Sequence, residues 1–239
     1  MRVAVIGASG RTGRATVARA LAAGHDVVSV VRTATSAPVG TTTSVADARD
    51  VAALNLALTG CDAVVSCLGH VAGADDPTIL HDGAVALLAA MSAARVRRLV
   101  AISAAGAYIE GDDPLSRFIA KPIVARLFGA GFADTREMER VIRASDTDWT
   151  LLRPSRLIPG ESAGTYRAGI DRAVWWHYNT RFDTVGRAAV DALTTPAWVS
   201  HAIFTTESPP RHPSAPEVRR IDPREREEGR YDSPQGTEC

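Results

Sequence analysis

The sequence predicts an α/β fold in which helices cover both faces of a mostly parallel β-sheet. Short apolar runs alternate with helical patterns through most of the chain, which is typical of βα units on a parallel sheet. Two of these runs, 26–31 and 63–68, are apolar almost throughout, as expected for strands buried on both faces. The spacing of the glycines after the first run is the third observation, and it adds a phosphate-binding turn to the prediction.

The first half of the chain predicts four strands. They span residues 2–6, 26–31, 41–45 and 63–68. A helix follows the first strand, with Val17 and Leu21 one turn apart, and Gly24 is its natural C-terminal cap. Asp50 is expected to cap a second helix over 51–58.

The second half continues the alternation. Asp76-Pro77 is predicted to begin a long helix that ends at Ala94, with Asp at the cap and Pro at the first helical position. Further strands are predicted at 99–102, 149–152 and 198–204, with helices at about 115–128, 133–145 and 183–194. The segment that follows Arg153-Pro154 is expected to form loops.

Composition predicts one domain, residues 1–205, followed by a tail over 206–239 that is rich in proline and charge. Such a tail is expected to be disordered. The chain carries 27 basic and 27 acidic residues, so neither nucleic acid nor an anionic membrane is an expected partner. A small-molecule substrate is expected, and the oligomeric state stays open, with a monomer allowed.

The location predicted from the sequence is cytoplasmic. Met1 runs directly into an apolar strand, and the apolar run 84–94 is too short to span a bilayer. The three cysteines suggest no disulfide framework, which favours a reducing compartment. The six histidines show no metal-ligand spacing, and no metal is expected.

A glycine triplet, Gly7-x-x-Gly10-x-x-Gly13, lies between the first strand and the first helix. In this context glycines allow a tight turn, close approach of the backbone to a pyrophosphate, and packing of helix on strand. The turn therefore predicts a doubly wound parallel sheet of the Rossmann type that binds a dinucleotide. The other phosphate contacts expected from this loop are Ser9, Arg11 and Thr12. The alternative is a tight turn without a ligand.

The second strand ends in Val31-Arg32, with no carboxylate nearby. An acidic residue here would bind the ribose 2′-hydroxyl of NAD(H), whereas arginine favours the 2′-phosphate of NADP(H). We therefore predict NADP(H) rather than NAD(H), with Arg32 on the 2′-phosphate, assisted by Thr33 or Ser36. A solvated surface arginine is the alternative. Asp47 is expected to accept from the adenine amino group, or else to act as a turn or capping residue.

These motifs carry a family resemblance. It rests on Gly7–Gly13, Val31-Arg32, Ala46-Asp47, Ser103, Leu152-Arg153-Pro154 and Thr180-Arg181-x-Asp183. Over about residues 1–205 the chain resembles atypical short-chain dehydrogenases/reductases, in the NAD(P)H-binding branch that includes flavin reductase/biliverdin reductase B and NmrA-like proteins. The resemblance implies Ser103 as a catalytic residue. Gly69 and Pro154 are further expected cofactor contacts, and Arg153-Pro154 is expected to shape the loop above the nicotinamide.

The chain departs from the family at the catalytic pair. Most short-chain reductases, as the resemblance implies, use Tyr-x-x-x-Lys, in which the lysine lowers the tyrosine pKa. The best match here is Phe132 to Arg136, which lacks the phenol and the lysine. Tyr108 has Asp112 at the fourth position after it, and Lys121 lies out of register.

Substrate contacts are predicted from an aromatic cluster, Trp175-Trp176-His177-Tyr178, and from Tyr108. The rings of the cluster suit stacking on a flat substrate. His177 is a candidate proton donor. The alternative is that the cluster packs a loop onto the domain. Reduction of a flavin- or quinone-like acceptor does not require the catalytic tyrosine, because hydride transfer depends on proximity and orientation. We expect such an NADPH-dependent reductase; the alternatives are a non-catalytic NADP(H) sensor and a sugar-nucleotide epimerase or dehydratase.

Overall fold

The structure is a computed structural model that describes residues 1–70, 76–108, 121–160, 162, 165–174 and 179–208, with backbone only for 121–130. Its strands are β1 Arg2–Ile6, β2 Asp26–Val31, β3 Thr42–Val45, β4 Ala63–Ser66, β5 Arg98–Ile102, β6 Asp148–Pro154, β7 Arg156–Ile158, β8 Tyr166–Ile170, β9 Asn179–Arg181 and β10 His201–Glu207. Its α-helices are α1 Arg11–Ala22, α2 Val51–Leu58, α3 Ile79–Ala94, α4 Lys121–Arg143 and α5 Phe182–Leu193.

Eight of the described strands form one sheet in the order β3-β2-β1-β4-β5-β6-β10-β8. All neighbours pair in parallel except β8, which runs antiparallel to β10 at the edge. The chain order reverses between β1 and β4, so a crevice opens there beyond the carboxyl ends of the strands. Ligands of doubly wound sheets bind at this switch point.

Helices cover both faces of the sheet. One apolar core joins the sheet to α2, α3 and α4, and the other joins it to α1 and α5. Every residue of β4 and nearly all of β1, β2 and β5 are buried. The predicted doubly wound parallel sheet of the Rossmann type is therefore confirmed.

Local signals placed several elements correctly. Asp50 caps α2, because its Oδ1 accepts from the backbone N–H of Ala53 at 3.0 Å. Helix α3 ends at Ala94 as predicted, and α5 lies within one residue of its predicted bounds.

Three predictions of local structure were wrong. Asp76 does not cap α3, which begins at Ile79; instead Asp134 of α4 accepts from the N–H groups of Leu80 and His81, both at 2.9 Å. The predicted break between two helices is bridged by the continuous α4. The predicted loop region after Pro154 contains the short strands β7 and β9, which pair in parallel, and the edge strand β8.

The domain boundary stays a prediction. Strand β10 runs to Glu207, and residues 209–239 lie outside the described part of the chain. Among the described residues, no helix combines the length and hydropathy needed to cross a membrane.

Candidate cofactor and active site

The glycine turn between β1 and α1 has the geometry that a phosphate loop requires. Gly7 has φ +74°, a left-handed conformation that side chains disfavour. A β-carbon on Gly13 would lie 2.2 Å from the carbonyl oxygen of Gly7, so α1 approaches the strand only because residue 13 has no side chain. The N-terminal amides of α1 thus border the crevice, where they suit a diphosphate.

A cavity of about 240 Å³ lies beside this turn at the switch point between β1 and β4. It extends along the ends of β2, β3 and β4. The sequence-predicted residues that line it are Gly7, Ser9, Gly10, Arg32, Asp47 and Gly69. The structure thus brings six predicted cofactor contacts to one cavity, although their contacts to a nucleotide stay predictions.

Four other predicted cofactor residues lie outside the cavity lining. The guanidinium of Arg11 stacks 4.6 Å from the ring centroid of Phe182. The carbonyl of Thr12 accepts from the hydroxyl of Thr16 within α1, and Gly13 serves packing. Pro154 is buried at the end of β6, where it pairs with β10.

Helix α1 carries an arginine near the cavity that was not predicted from the sequence, Arg14. Arg14 donates from Nε to the carbonyl of Ser9 at 2.9 Å and from Nη2 to the carbonyl of Ser36 at 3.0 Å. It therefore ties the glycine turn to the segment that follows Arg32. Ser36 donates its own hydroxyl to the carbonyl of Thr33. The helical position of Arg14, one residue after Gly13, was the available signal.

The opposite side of the cavity is acidic and held by Arg49. Asp47 Oδ1 accepts from the backbone N–H of Arg49 at 2.9 Å, so Asp47 forms a turn and also lines the cavity. The Arg49 guanidinium donates to both oxygens of Asp76 at 2.7 and 2.8 Å and lowers the pKa of that carboxyl. Arg49 also bonds Asp82. Arg49 joins two loops that border the cavity.

Ser103, the predicted catalytic serine, contacts a buried ion pair. Its hydroxyl donates to Glu139 Oε1 at 2.5 Å. Glu139 accepts from Nε of Arg153 at 2.9 Å and from its Nη2 at 2.5 Å, and both side chains are buried. The proton of Ser103 therefore points to Glu139, not to the crevice. Arg153 thus projects into the protein from the end of β6, where the sequence predicted a role in shaping a loop.

Tyr108, a predicted substrate contact, packs on the same ion pair. The guanidinium carbon of Arg153 lies 3.4 Å from its ring centroid. Burial and the Glu139 carboxylate raise the pKa of the Tyr108 phenol above its ordinary value. A phenol with a raised pKa is a weaker proton donor, which disfavours Tyr108 as a replacement for the missing catalytic tyrosine.

Phe132 and Arg136 occupy α4 as predicted. A β-carbon on Gly106 would lie 2.9 Å from Cζ of Phe132, which places this ring against the loop after β5. Arg136 donates from Nη1 to the carbonyl of Ala107 at 3.2 Å. The position expected for the catalytic pair therefore holds an apolar ring and a structural guanidinium.

The remaining predictions concern Trp175, Trp176 and His177, which lie outside the described residues with Tyr178.

Cys67, which the sequence placed on a strand, lines the cavity, and burial raises the pKa of its thiol to about 12. Within the described residues, no cluster of His, Cys, Asp or Glu has the size and geometry to hold a metal ion.

The chain is similar to one protein family and to several bacterial proteins. The model of a family described as NAD(P)H-binding matches residues 7–196. An uncharacterized protein of Mycobacterium tuberculosis is 42% identical over 101 residues, which are 42% of this chain but 12% of that relative's length. The uncharacterized protein YwnB of Bacillus subtilis is 26% identical over 186 residues, covering 73% of this chain and 82% of YwnB.

A similar fold occurs in a solved structure, that of a wide-type short-chain dehydrogenase/reductase from Veillonella parvula in complex with NADP. The TM-score is 0.72 at 19% identity, and the match covers 90% of this chain and 99% of that chain. At this identity the likeness shows the fold alone.

Proposed function

Since the chain belongs to the NAD(P)H-binding family, whose model matches residues 7–196, we propose that it is an NADPH-dependent reductase of a flat conjugated acceptor. The observation that carries the choice of cofactor is the cavity formed by the glycine turn and the end of β2. Arg32 lines this cavity, and the five residues after β2 include no carboxylate. An arginine without an acidic neighbour suits a 2′-phosphate.

The residues present fit the dinucleotide. The approach of α1 to Gly7 leaves room for no side chain at residue 13. The N-terminus of α1, whose first amides have no partner within the helix, borders the cavity at Gly10. Arg14 holds the glycine turn against the segment after β2, so the diphosphate and 2′-phosphate positions keep a fixed separation. Asp47 and Gly69 line the adenine and ribose side of the proposed site.

The acceptor is proposed from what the site lacks. Phe132 stands where the resemblance places the catalytic tyrosine, and Ser103 donates its proton to Glu139. When bound, the reduced nicotinamide supplies a hydride. An alcohol or ketone substrate needs a strong, well-placed proton donor at this position, whereas a flavin- or quinone-like ring depends mainly on proximity and orientation.

The buried pair of Glu139 and Arg153 has a positioning role in this proposal. It fixes the carboxyl ends of β5 and β6, because Ser103 follows β5 and Arg153 lies within β6. In this proposal, the ends of β5 and β6 thereby form a rigid surface on which the acceptor lies. Rigid elements hold reacting groups in productive geometry better than loops do.

The test is acceptor-dependent oxidation of NADPH by the full-length protein, followed by absorbance of the reduced nicotinamide. FMN, riboflavin, biliverdin and simple quinones are offered in turn, each with NADPH and with NADH. Steady oxidation that is faster with NADPH supports the proposal. NADPH binding without oxidation across this panel contradicts it and favours the second candidate, a non-catalytic NADP(H) sensor. That candidate draws support from the engaged proton of Ser103 and the apolar Phe132.

A further inference from the structure

We infer that Arg49 forms a platform on which the adenine ring of the cofactor stacks; the inference rests on the dinucleotide site of the proposed function and not on its acceptor. Arg49 lines the cofactor cavity, as do Asp47 and Ala48 just before it. Its side chain is 38% exposed, so a bound ring can cover the part that solvent reaches. Arg49 is therefore placed to contact the cofactor itself.

Both hydrogen-bonding edges of the Arg49 guanidinium are occupied by carboxylates. Nη1 and Nη2 donate to the two oxygens of Asp76 at 2.8 and 2.7 Å. Nε and Nη2 donate to Oδ2 of Asp82 at 3.2 and 3.1 Å. Phosphates bind arginine through such paired donors, and here both pairs are taken. Apart from one N–H of Nη1, the surface left for a ligand is the flat face of the guanidinium and the methylene stem.

The partners of Arg49 also fix the orientation of its side chain. The hydroxyl of Thr78 donates to Asp82 Oδ2 at 2.8 Å, which holds this carboxylate at the first turn of α3. At the other end of the residue, the backbone N–H of Arg49 donates to Asp47 Oδ1 at 2.9 Å in the turn after β3. A planar group that is already held in place loses little conformational freedom when a ring stacks on it.

The surroundings of Arg49 in the cavity suit a flat purine. The apolar side chains of Leu68 and Ile79 line the same cavity, and both pack against the core from partly buried positions. Asp47, which is predicted to accept from the adenine amino group, lies two positions before Arg49. Nucleic-acid bases stack on the planes of arginine guanidinium groups in proteins. Apolar walls, a carboxylate for the amino group and a guanidinium face together fit adenine.

Arg32, a second arginine that lines the cavity, differs from Arg49 in its partners. Arg32 is exposed, and within the described residues it forms no ion pair. Its paired donors are therefore open to the 2′-phosphate, as the proposed function requires. The two arginines thus bind different parts of the cofactor. NADPH and NADH share the adenine ring, whereas only NADPH carries the 2′-phosphate, so the two roles have different effects on affinity.

The test compares Arg49→Lys with Arg97→Lys, in which an exposed arginine that pairs with Asp148 undergoes the same change just before β5. Lysine keeps the charge but has no planar face. In fluorescence titrations Arg49→Lys is expected to weaken NADPH and NADH binding by the same factor, roughly 3- to 10-fold. Arg97→Lys is expected to leave both affinities unchanged. Wild-type affinities in Arg49→Lys, or a loss confined to NADPH, overturn the inference.

A second readout detects the stacked ring in the wild-type protein. With isotope-labelled arginine, the Arg49 side-chain NMR signals are identified by their loss in Arg49→Lys. Adenosine 2′,5′-bisphosphate is expected to move the Arg49 Hδ and Hε signals upfield, because the face of a purine shields nuclei above it. Inorganic phosphate is expected to leave them in place.

Arg49 signals that ignore the bisphosphate, or that respond equally to inorganic phosphate, overturn the inference. A protein that binds neither NADPH nor the bisphosphate overturns the proposed cofactor site together with it. NADPH binding with the expected Arg49 shifts but without oxidation overturns only the proposed reductase.

Discussion

The hydroxyl of Ser103 donates its proton to Glu139, and the same carboxylate binds Arg153 through two hydrogen bonds. Residues from β6, α4 and the loop after β5 therefore meet at one buried charge. A buried ion pair adds little net stability over apolar residues of the same shape, but breaking it leaves an uncompensated charge.

Glu139→Gln is therefore expected to destabilise the protein by roughly 3–5 kcal/mol, because Arg153 stays buried without its counter-charge. Urea unfolding followed by circular dichroism measures the change. Glu137→Gln, on the exposed side of α4, is the matched control and is expected to leave the midpoint in place. Equal midpoints for the two variants would show that Glu139 does not carry this cluster.

Arg32→Ala is expected to weaken NADPH binding about 10- to 100-fold and to leave NADH binding nearly unchanged, because only NADPH carries the 2′-phosphate. Fluorescence titration with both cofactors measures the effect. Arg97→Ala, just before β5 at the other end of the sheet, is the control. Equal losses for NADPH and NADH would refute the assignment of Arg32.

Gly13→Ala is expected to cost about 1–3 kcal/mol or more, since its β-carbon would overlap the carbonyl oxygen of Gly7 at 2.2 Å. The clash separates α1 from β1 and disrupts the phosphate turn, so NADPH binding is lost with it. Gly69→Ala, whose β-carbon meets no atom within 4 Å, is expected to keep wild-type stability. Thermal unfolding of the two variants checks the difference, and a stable Gly13→Ala protein with wild-type affinity would contradict it.

Asp183→Asn is expected to reduce stability only above the pH range in which Asp183 titrates. Asp183 binds Arg19 of α1, and this hydrogen bond lowers the pKa of Asp183 in the folded state. A lowered pKa stabilises the fold above the unfolded pKa of about 4, and the contribution is lost as pH falls through the folded pKa. The pair is partly exposed, so the effect at neutral pH is about 1 kcal/mol or less.

Urea unfolding at several pH values tests this linkage. The difference between wild type and Asp183→Asn is expected to shrink toward zero in acid. Asp146 is an exposed loop residue, and Asp146→Asn makes the same charge change and serves as the control. A difference that stays constant down to low pH would exclude the pair with Arg19 as its origin.

Local sequence signals predicted much of the fold. Buried apolar runs identified the central strands, and Asp50 was recognised as a cap because the residue and its partner, Ala53, are three positions apart. Asp134 caps α3 from 53 and 54 residues away, so no local signal revealed it. Strands β7 and β9 are three residues long, too short to show a period of two.

The candidate site also contains residues that local sequence signals predicted and residues that they did not. The glycine turn and Arg32 lie in one βαβ unit, where spacing determines geometry, and both line the cavity. His70, in the loop after β4, lies next to Asp134 of α4, which is 64 positions later in the sequence. His177 was predicted as a donor because it lies among aromatic residues, whereas His70 comes next to the buried Asp134 carboxylate only in the folded chain.

The measurement that tests the account most directly is single-turnover oxidation of NADPH deuterated at the transferred position, with a quinone as acceptor and full-length protein in excess. Direct hydride transfer predicts complete, acceptor-dependent oxidation that is slower with deuterium than with hydrogen. NADPH that binds but stays reduced would contradict the reductase, and oxidation without any isotope effect on the chemical step would contradict hydride transfer.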